Sequence, residues 1–124
     1  MSTASRQKTI LVVDDSEDIR ELLGVVLRDA GYRVCEAENG REALDLLEAM
    51  QCPPCLLLLD LMMPVMSGPE LLEELRERDR LTSLPVVVIS AGGQPAHAPE
   101  AKQFMRKPID PSTLLAVVRS LCGA

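Results

Sequence analysis

The chain has 124 residues, 47% of them hydrophobic, with 13 basic and 19 acidic side chains giving a net charge of −6. That length suits a single domain with a real core, and the acidic balance opposes non-specific binding to nucleic acid, which depends on neutralising phosphates. No apolar run approaches the roughly 18 residues of a membrane span, and "MSTASRQKTILVVDD" fails as a secretory leader because acids follow Val13, so a cytoplasmic protein is expected.

Residues 1–7 read as a tail, and 8–122 as one domain. "ILVV" (10–13) is the first strand and runs into Asp14 and Asp15. Ile19, Leu22, Leu23, Val26, Leu27 and Ala30 then recur on one helical face, with Gly31 as the stop. "YRVCEAE" (32–38) is the second strand, and Asn39-Gly40 turns into a helix through Met50. "LLLL" (56–59) is the third strand and ends at Asp60. A loop follows, and a helix starts at Gly68 with Pro69 in its first turn, where a missing N–H does no harm. "LPVVVIS" (84–90) is the fourth strand, and "QFMRK" (103–107) a weaker fifth. Asp110-Pro111 opens a last helix carrying Leu114, Leu115, Val118 and Leu121. Aromatic residues are limited to Tyr32 and Phe104, so Leu, Val, Ile, Met and Ala must fill the core.

Alternating strands and helices predict an α/β fold, a doubly wound parallel sheet covered on both faces. The first, third and fourth runs are almost wholly apolar, as interior strands are. The second and fifth carry Arg33, Glu36, Glu38, Gln103 and Arg106, as edges do. Three interior strands and two edges fit the flavodoxin-like order 2-1-3-4-5. Sites in such sheets lie beyond the carboxyl ends of the strands, where strand order reverses. Asp14, Asp15, Asp60, Ser90 and Lys107 all fall there.

Three carboxylates at one rim repel each other by about 4 kcal/mol per pair at about 4 Å and an effective dielectric near 20. They must take up protons or recruit a cation, and an oxygen-rich site of this kind suits Mg²⁺. Lys107 adds a compact positive charge and Ser90 a hydroxyl donor. Together they resemble a receptacle for a phosphoryl group held on an aspartate, in which the metal and lysine would neutralise the transferring oxygens. Asp60, set against four leucines, is the expected acceptor.

"ILVVDDSEDIRELL", "CEAENGREALDLL", "LLLLDLMMPVMSGPELL", "VVVISA" and "KPID" resemble, in order and over nearly the whole chain, the CheY-like receiver domain of two-component response regulators. The resemblance implies a phosphorylated Asp60, with Mg²⁺ held by Asp15, Asp60 and the backbone carbonyl of Met62, and by Asp14 through water. It implies that Ser90 and Lys107 contact the phosphoryl group, that the bond before Pro108 is cis, and that Phe104 is the switch aromatic. It further implies a histidine kinase or histidine phosphotransfer protein as donor, slow self-hydrolysis, and a signalling switch rather than an enzyme.

Competing readings exist. Asp14 and Asp15 could simply cap the following helix, since Asp14-x-x-Glu17 is a passable capping box. Ser90 could be a polar strand end, and Gly68 and Pro64 loop punctuation. An aspartate-dependent phosphatase would need an acid two residues after Asp60, where Met62 stands. Acids at 14 and 15 would repel a flavin phosphate. A non-phosphorylated receiver-like scaffold stays open, because "AGGQPAHAPEAKQFMR" (91–106) is short for the family and rich in Gly and Pro. A shortened or missing fourth helix is expected there, which puts the family's usual dimerisation and output surface in question. His97, in the same segment, reads as a bystander. Cys52 and Cys55 form C-P-P-C, but no thioredoxin-like helix follows and a zinc site lacks partners; all four cysteines are expected to be reduced, structural thiols.

Overall fold

A computed structural model of the chain describes residues 8–79, 84–91 and 101–123. The elements run β1 (Thr9–Val13), α1 (Glu17–Asp29), β2 (Arg33–Ala37), α2 (Gly40–Ala49), β3 (Leu56–Asp60), α3 (Gly68–Glu77), β4 (Val86–Ser90), β5 (Gln103–Arg106) and α4 (Pro111–Cys122). All strand pairs are parallel, and the sheet order is β2-β1-β3-β4-β5. The expected short or absent helix between β4 and β5 falls on residues 92–100, outside the described residues, as do Gly92, Gly93, Pro95, His97 and Pro99.

Side-chain alternation along each strand divides the core in two. Leu11, Val13, Leu57, Leu59, Val86 and Val88 meet Leu44 and Leu47 of α2 and Leu71, Leu72 and Leu75 of α3. Ile10, Val12, Leu56, Leu58, Val87 and Ile89 meet Leu23 and Leu27 of α1 and Leu114 and Val118 of α4. β3 and β4 are buried along their whole length, while β2 and β5 are partly exposed. This is why the interior runs carry no polar alternation and the edge runs do. Among the described residues, no helix is long and apolar enough to cross a membrane.

Each described helix starts on a side chain that satisfies an otherwise orphaned N–H. Ser16 accepts from Ile19, Asn39 from Glu42, Ser67 from Glu70 and Asp110 from Thr113. The cap of α1 is therefore Ser16 and not Asp14, which leaves the Asp14 carboxylate for the rim. At α3, Ser67 and Glu70 form a reciprocal capping box. Gly31 ends the α1 turn at φ +100°, a conformation that disfavours any side chain.

The cysteines depart from expectation. Cys55 and Cys122 are joined in a disulfide, their Cα atoms 5.5 Å apart. Cys35 and Cys52 are free, so the C-P-P-C motif is not itself a bridged pair. Sequence spacing hid this because 67 residues separate the partners. Only the packing of α4 against the start of β3 brings them together.

Gly68 is set close to the site for a steric reason. A Cβ there would lie 2.6 Å from the Asp60 carbonyl oxygen and 2.9 Å from Leu61 Cα, both backbone atoms that cannot swing aside. Gly68→Ala is expected to destabilise the fold by about 2 kcal/mol through this overpacking and to displace Asp60. Urea unfolding followed by far-ultraviolet circular dichroism measures it, and an unchanged midpoint would refute the close approach.

Candidate functional site

The first and third strands end side by side at the point where strand order reverses, and their last residues build the site. Asp14, immediately after β1, is fully buried, and Asp60, the last residue of β3, is 4% exposed. Asp15 is exposed. One carboxylate oxygen from each of the three lies within 4.8 Å of the others.

Local bonds hold these groups. The Ser16 N–H donates to Asp14 Oδ1 at 2.9 Å. Arg20 donates to the Asp14 carbonyl at 2.6 Å and also pairs with Glu36 at 3.6 Å, tying the β1–α1 turn to β2. The Met62 N–H donates to Asp60 Oδ1 at 3.4 Å. Met62 itself is 75% exposed beside the buried carboxylate.

Lys107 follows β5, and its N–H donates to the Ser90 carbonyl at 2.9 Å. The Lys107–Pro108 peptide is cis. The ammonium lies 2.8 Å from Asp14 Oδ2 and 3.8 Å from Asp60 Oδ2. It approaches Asp14 as an ion pair but outside hydrogen-bonding direction, so this buried oxygen accepts no hydrogen bond. Burial, then the charge of Asp14, pushes the Asp60 carboxyl from 3.8 up to about 6, against opposing pulls from Lys107 and the Met62 N–H. One lysine does not balance three acids. Three carboxylates that offer hard oxygen donors within 4.8 Å of one another, with one ammonium beside them, fit a small divalent cation.

The structure thus gathers Asp14, Asp15, Asp60 and Lys107. Ser90 ends the adjacent strand and is buried. Phe104 does not join the rim: it pairs with Val88, two residues below the Ser90–Arg106 pair, and is 39% exposed. Sequence reasoning missed Arg20, for which nothing in the local pattern stands out. It read Gly68 only as a helix start or loop punctuation and missed its approach to the Asp60 carbonyl, although a glycine at the first position of a well-capped helix, where propensity disfavours it, was a usable signal.

A parallel doubly wound sheet with an acidic cluster and a lysine at its switch point defines a narrow class of protein, and comparison with known proteins places the chain in it. Residues 10–119 match the response regulator receiver domain family. Response regulator Rre1 of Synechocystis sp. is 39% identical over 119 residues, which cover 91% of this chain and 51% of Rre1. The chain thus spans about half the length of that relative. Chemotaxis protein CheY4 of Vibrio cholerae superposes with a TM-score of 0.82 at 31% identity, covering 93% of this chain and 98% of CheY4. Response regulator TrrA of Thermotoga maritima, solved in complex with Mg²⁺–BeF, gives 0.81 at 32% identity over 93% of this chain and 99% of TrrA.

The chain belongs to the response regulator receiver domain family. It is a phosphoacceptor signalling switch of the two-component type.

Proposed function

We propose that residues 8–122 form one receiver unit in which Asp60 accepts a phosphoryl group from a phosphohistidine on a histidine kinase or phosphotransfer protein. The observation that carries this reading is the Lys107 ammonium set between Asp14 and Asp60, beside a cluster of three carboxylates. Asp15, Asp60 and the Met62 carbonyl would hold Mg²⁺, with Asp14 acting through water; the ion would supply charge neutralisation for the transferring oxygens.

The chain's own groups do the rest. The Met62 N–H holds one oxygen of Asp60 and so orients the carboxylate. An Asp60 oxygen attacks phosphorus as the bond to the donor nitrogen breaks, and the donor imidazole keeps that electron pair. Lys107 then moves its charge from Asp14 towards the phosphoryl oxygens, and the Ser90 hydroxyl donates to them. Phe104, two residues below on β5, reports the new position of Ser90. Water later cleaves the acyl phosphate, so the chain acts as a timed acceptor in the cytoplasm rather than as a turnover enzyme. Neither membrane nor nucleic acid is required as a direct partner.

Incubation with Mg²⁺ and a small acyl phosphate, followed by intact-mass measurement, tests the reading. The wild type should gain one phosphoryl group, and EDTA should prevent it. A wild type that stays unmodified under these conditions would favour a receiver-like scaffold.

A further inference from the structure

We infer that the Cys55–Cys122 disulfide is a thiol–disulfide exchange site, opened by a dithiol reductant at Cys55, and that its opening frees the last turn of α4. The bridge joins the residue before β3 to the last residue of α4, at the end of the sheet opposite Asp60. Cys55 is itself fastened to the sheet, because its N–H donates to the Thr9 carbonyl at 2.8 Å. The covalent tie therefore anchors α4 to the central strands rather than to a loop. Two polar contacts supplement it: the Lys8 ammonium donates to the Cys122 carbonyl, and the Tyr32 hydroxyl donates to the Gly123 carbonyl at 3.3 Å. Lys8 and Gly123 are exposed, whereas Tyr32 is buried, and a hydrogen bond of this kind adds about 1 kcal/mol net. Among the described residues the disulfide is the one covalent restraint on the end of the helix, beside those contacts and the packing of Val118 and Cys122 in the core.

Burial selects the sulfur that is attacked. Cys55 is half-buried, whereas Cys122 is 5% exposed. A thiolate of the reductant attacks Cys55 Sγ, forming a mixed disulfide, and the Cys55–Cys122 bond breaks with Cys122 leaving as a thiolate that takes a proton from water. The second thiolate of the reductant then displaces Cys55, which is protonated in turn. Two electrons pass to the protein sulfurs, and the reductant ends as its own disulfide. Cys52, three residues away, is exposed but shares a cavity of about 730 Å³ with Cys35 at the β2 edge. It is a built-in control rather than a member of the pair. The bridge stays closed in oxidising surroundings and opens in a thiol-rich compartment, so the helix end follows the redox state independently of phosphorylation.

Amide exchange at 121–123, where the Gly123 N–H donates to the Arg119 carbonyl at 2.9 Å, reads the latch. Treatment with dithiothreitol should speed exchange there at least tenfold while leaving 10–13 and 86–89 unchanged. Untreated Cys55→Ser should match the reduced wild type, and Cys52→Ser should behave as the oxidised wild type. Equal exchange before and after reduction, with alkylation proving four free thiols, would overturn the proposal. So would four alkylatable thiols in protein prepared without reductant, or peptide mapping that places the bridge on Cys52.

Discussion

Asp60→Asn is expected to have opposite effects on chemistry and on stability. Intact mass should register no phosphoryl gain, since the amide cannot form the acyl phosphate. Phosphate on both proteins alike would place the acceptor elsewhere. In EDTA at pH 7 the same variant should be more stable than the wild type, for a reason that follows from burial. The Asp60 carboxyl rises from 3.8 to about 6 on folding, so between those values the native state holds more protons than the unfolded chain, and stability falls as pH rises. Above pH 6 the ionised group costs up to about 3 kcal/mol, and asparagine removes that cost. The advantage of the variant should shrink as the pH is lowered from 7 through 6 and vanish only below 3.8, where Asp60 is protonated in both states. Mg²⁺ should narrow it too, by stabilising the wild type more. Denaturant melts across pH, with and without Mg²⁺, supply the measurement. A variant less stable than wild type in EDTA at pH 7 would show that Asp60 is not held against its own charge.

Lys107→Ala should slow phosphoryl transfer from a small acyl phosphate by roughly 100-fold, the usual cost of losing one charged stabiliser of the transferring oxygens. It should also tighten Mg²⁺ binding. In the free protein the ammonium sits 2.8 Å from Asp14 and 3.8 Å from Asp60, so it competes with the metal for the same negative field. Removing it leaves three carboxylates without their nearest cation. Slower chemistry alongside tighter metal binding separates a direct electrostatic role from damage to the fold, which would weaken both. A rate within threefold of wild type would rule out the assigned role of Lys107. The absence of tryptophan makes calorimetry the natural readout for the metal and intact mass that for the phosphoryl group.

The tolerance of the buried acid has its explanation in the neighbouring residues. Leu56, Leu57, Leu58 and Leu59 are fully buried, and each contributes about 2 kcal/mol on leaving water. That gain offsets the cost of holding Asp60 ready at the strand end. A strand with polar alternation would not supply it.

Most of the fold was legible because its signals are local. The apolar runs at 10–13, 56–59 and 84–90 read as covered strands, and the charged runs at 32–38 and 103–107 as edges. Helix starts at Asn39, Ser67 and Asp110 carry their caps in the sequence. The rim followed from topology, since strands that run parallel must end together. Besides the role of Arg20, three features were not legible, because each depends on distant segments meeting. The first is which partner Lys107 prefers among the acids. The second is the contact of Gly68 with the Asp60 carbonyl. The third is the Cys55–Cys122 bridge, where compartment-based reasoning pointed to free thiols. Sequence by itself determined which strands are interior and which are edges, the helix faces and the membership of the acidic rim, because hydrophobic period and residue charge are encoded one position at a time. Tertiary structure alone decided the distances within the rim and the pairing of the cysteines, because these arise only when elements far apart in the chain are packed to within a few ångströms.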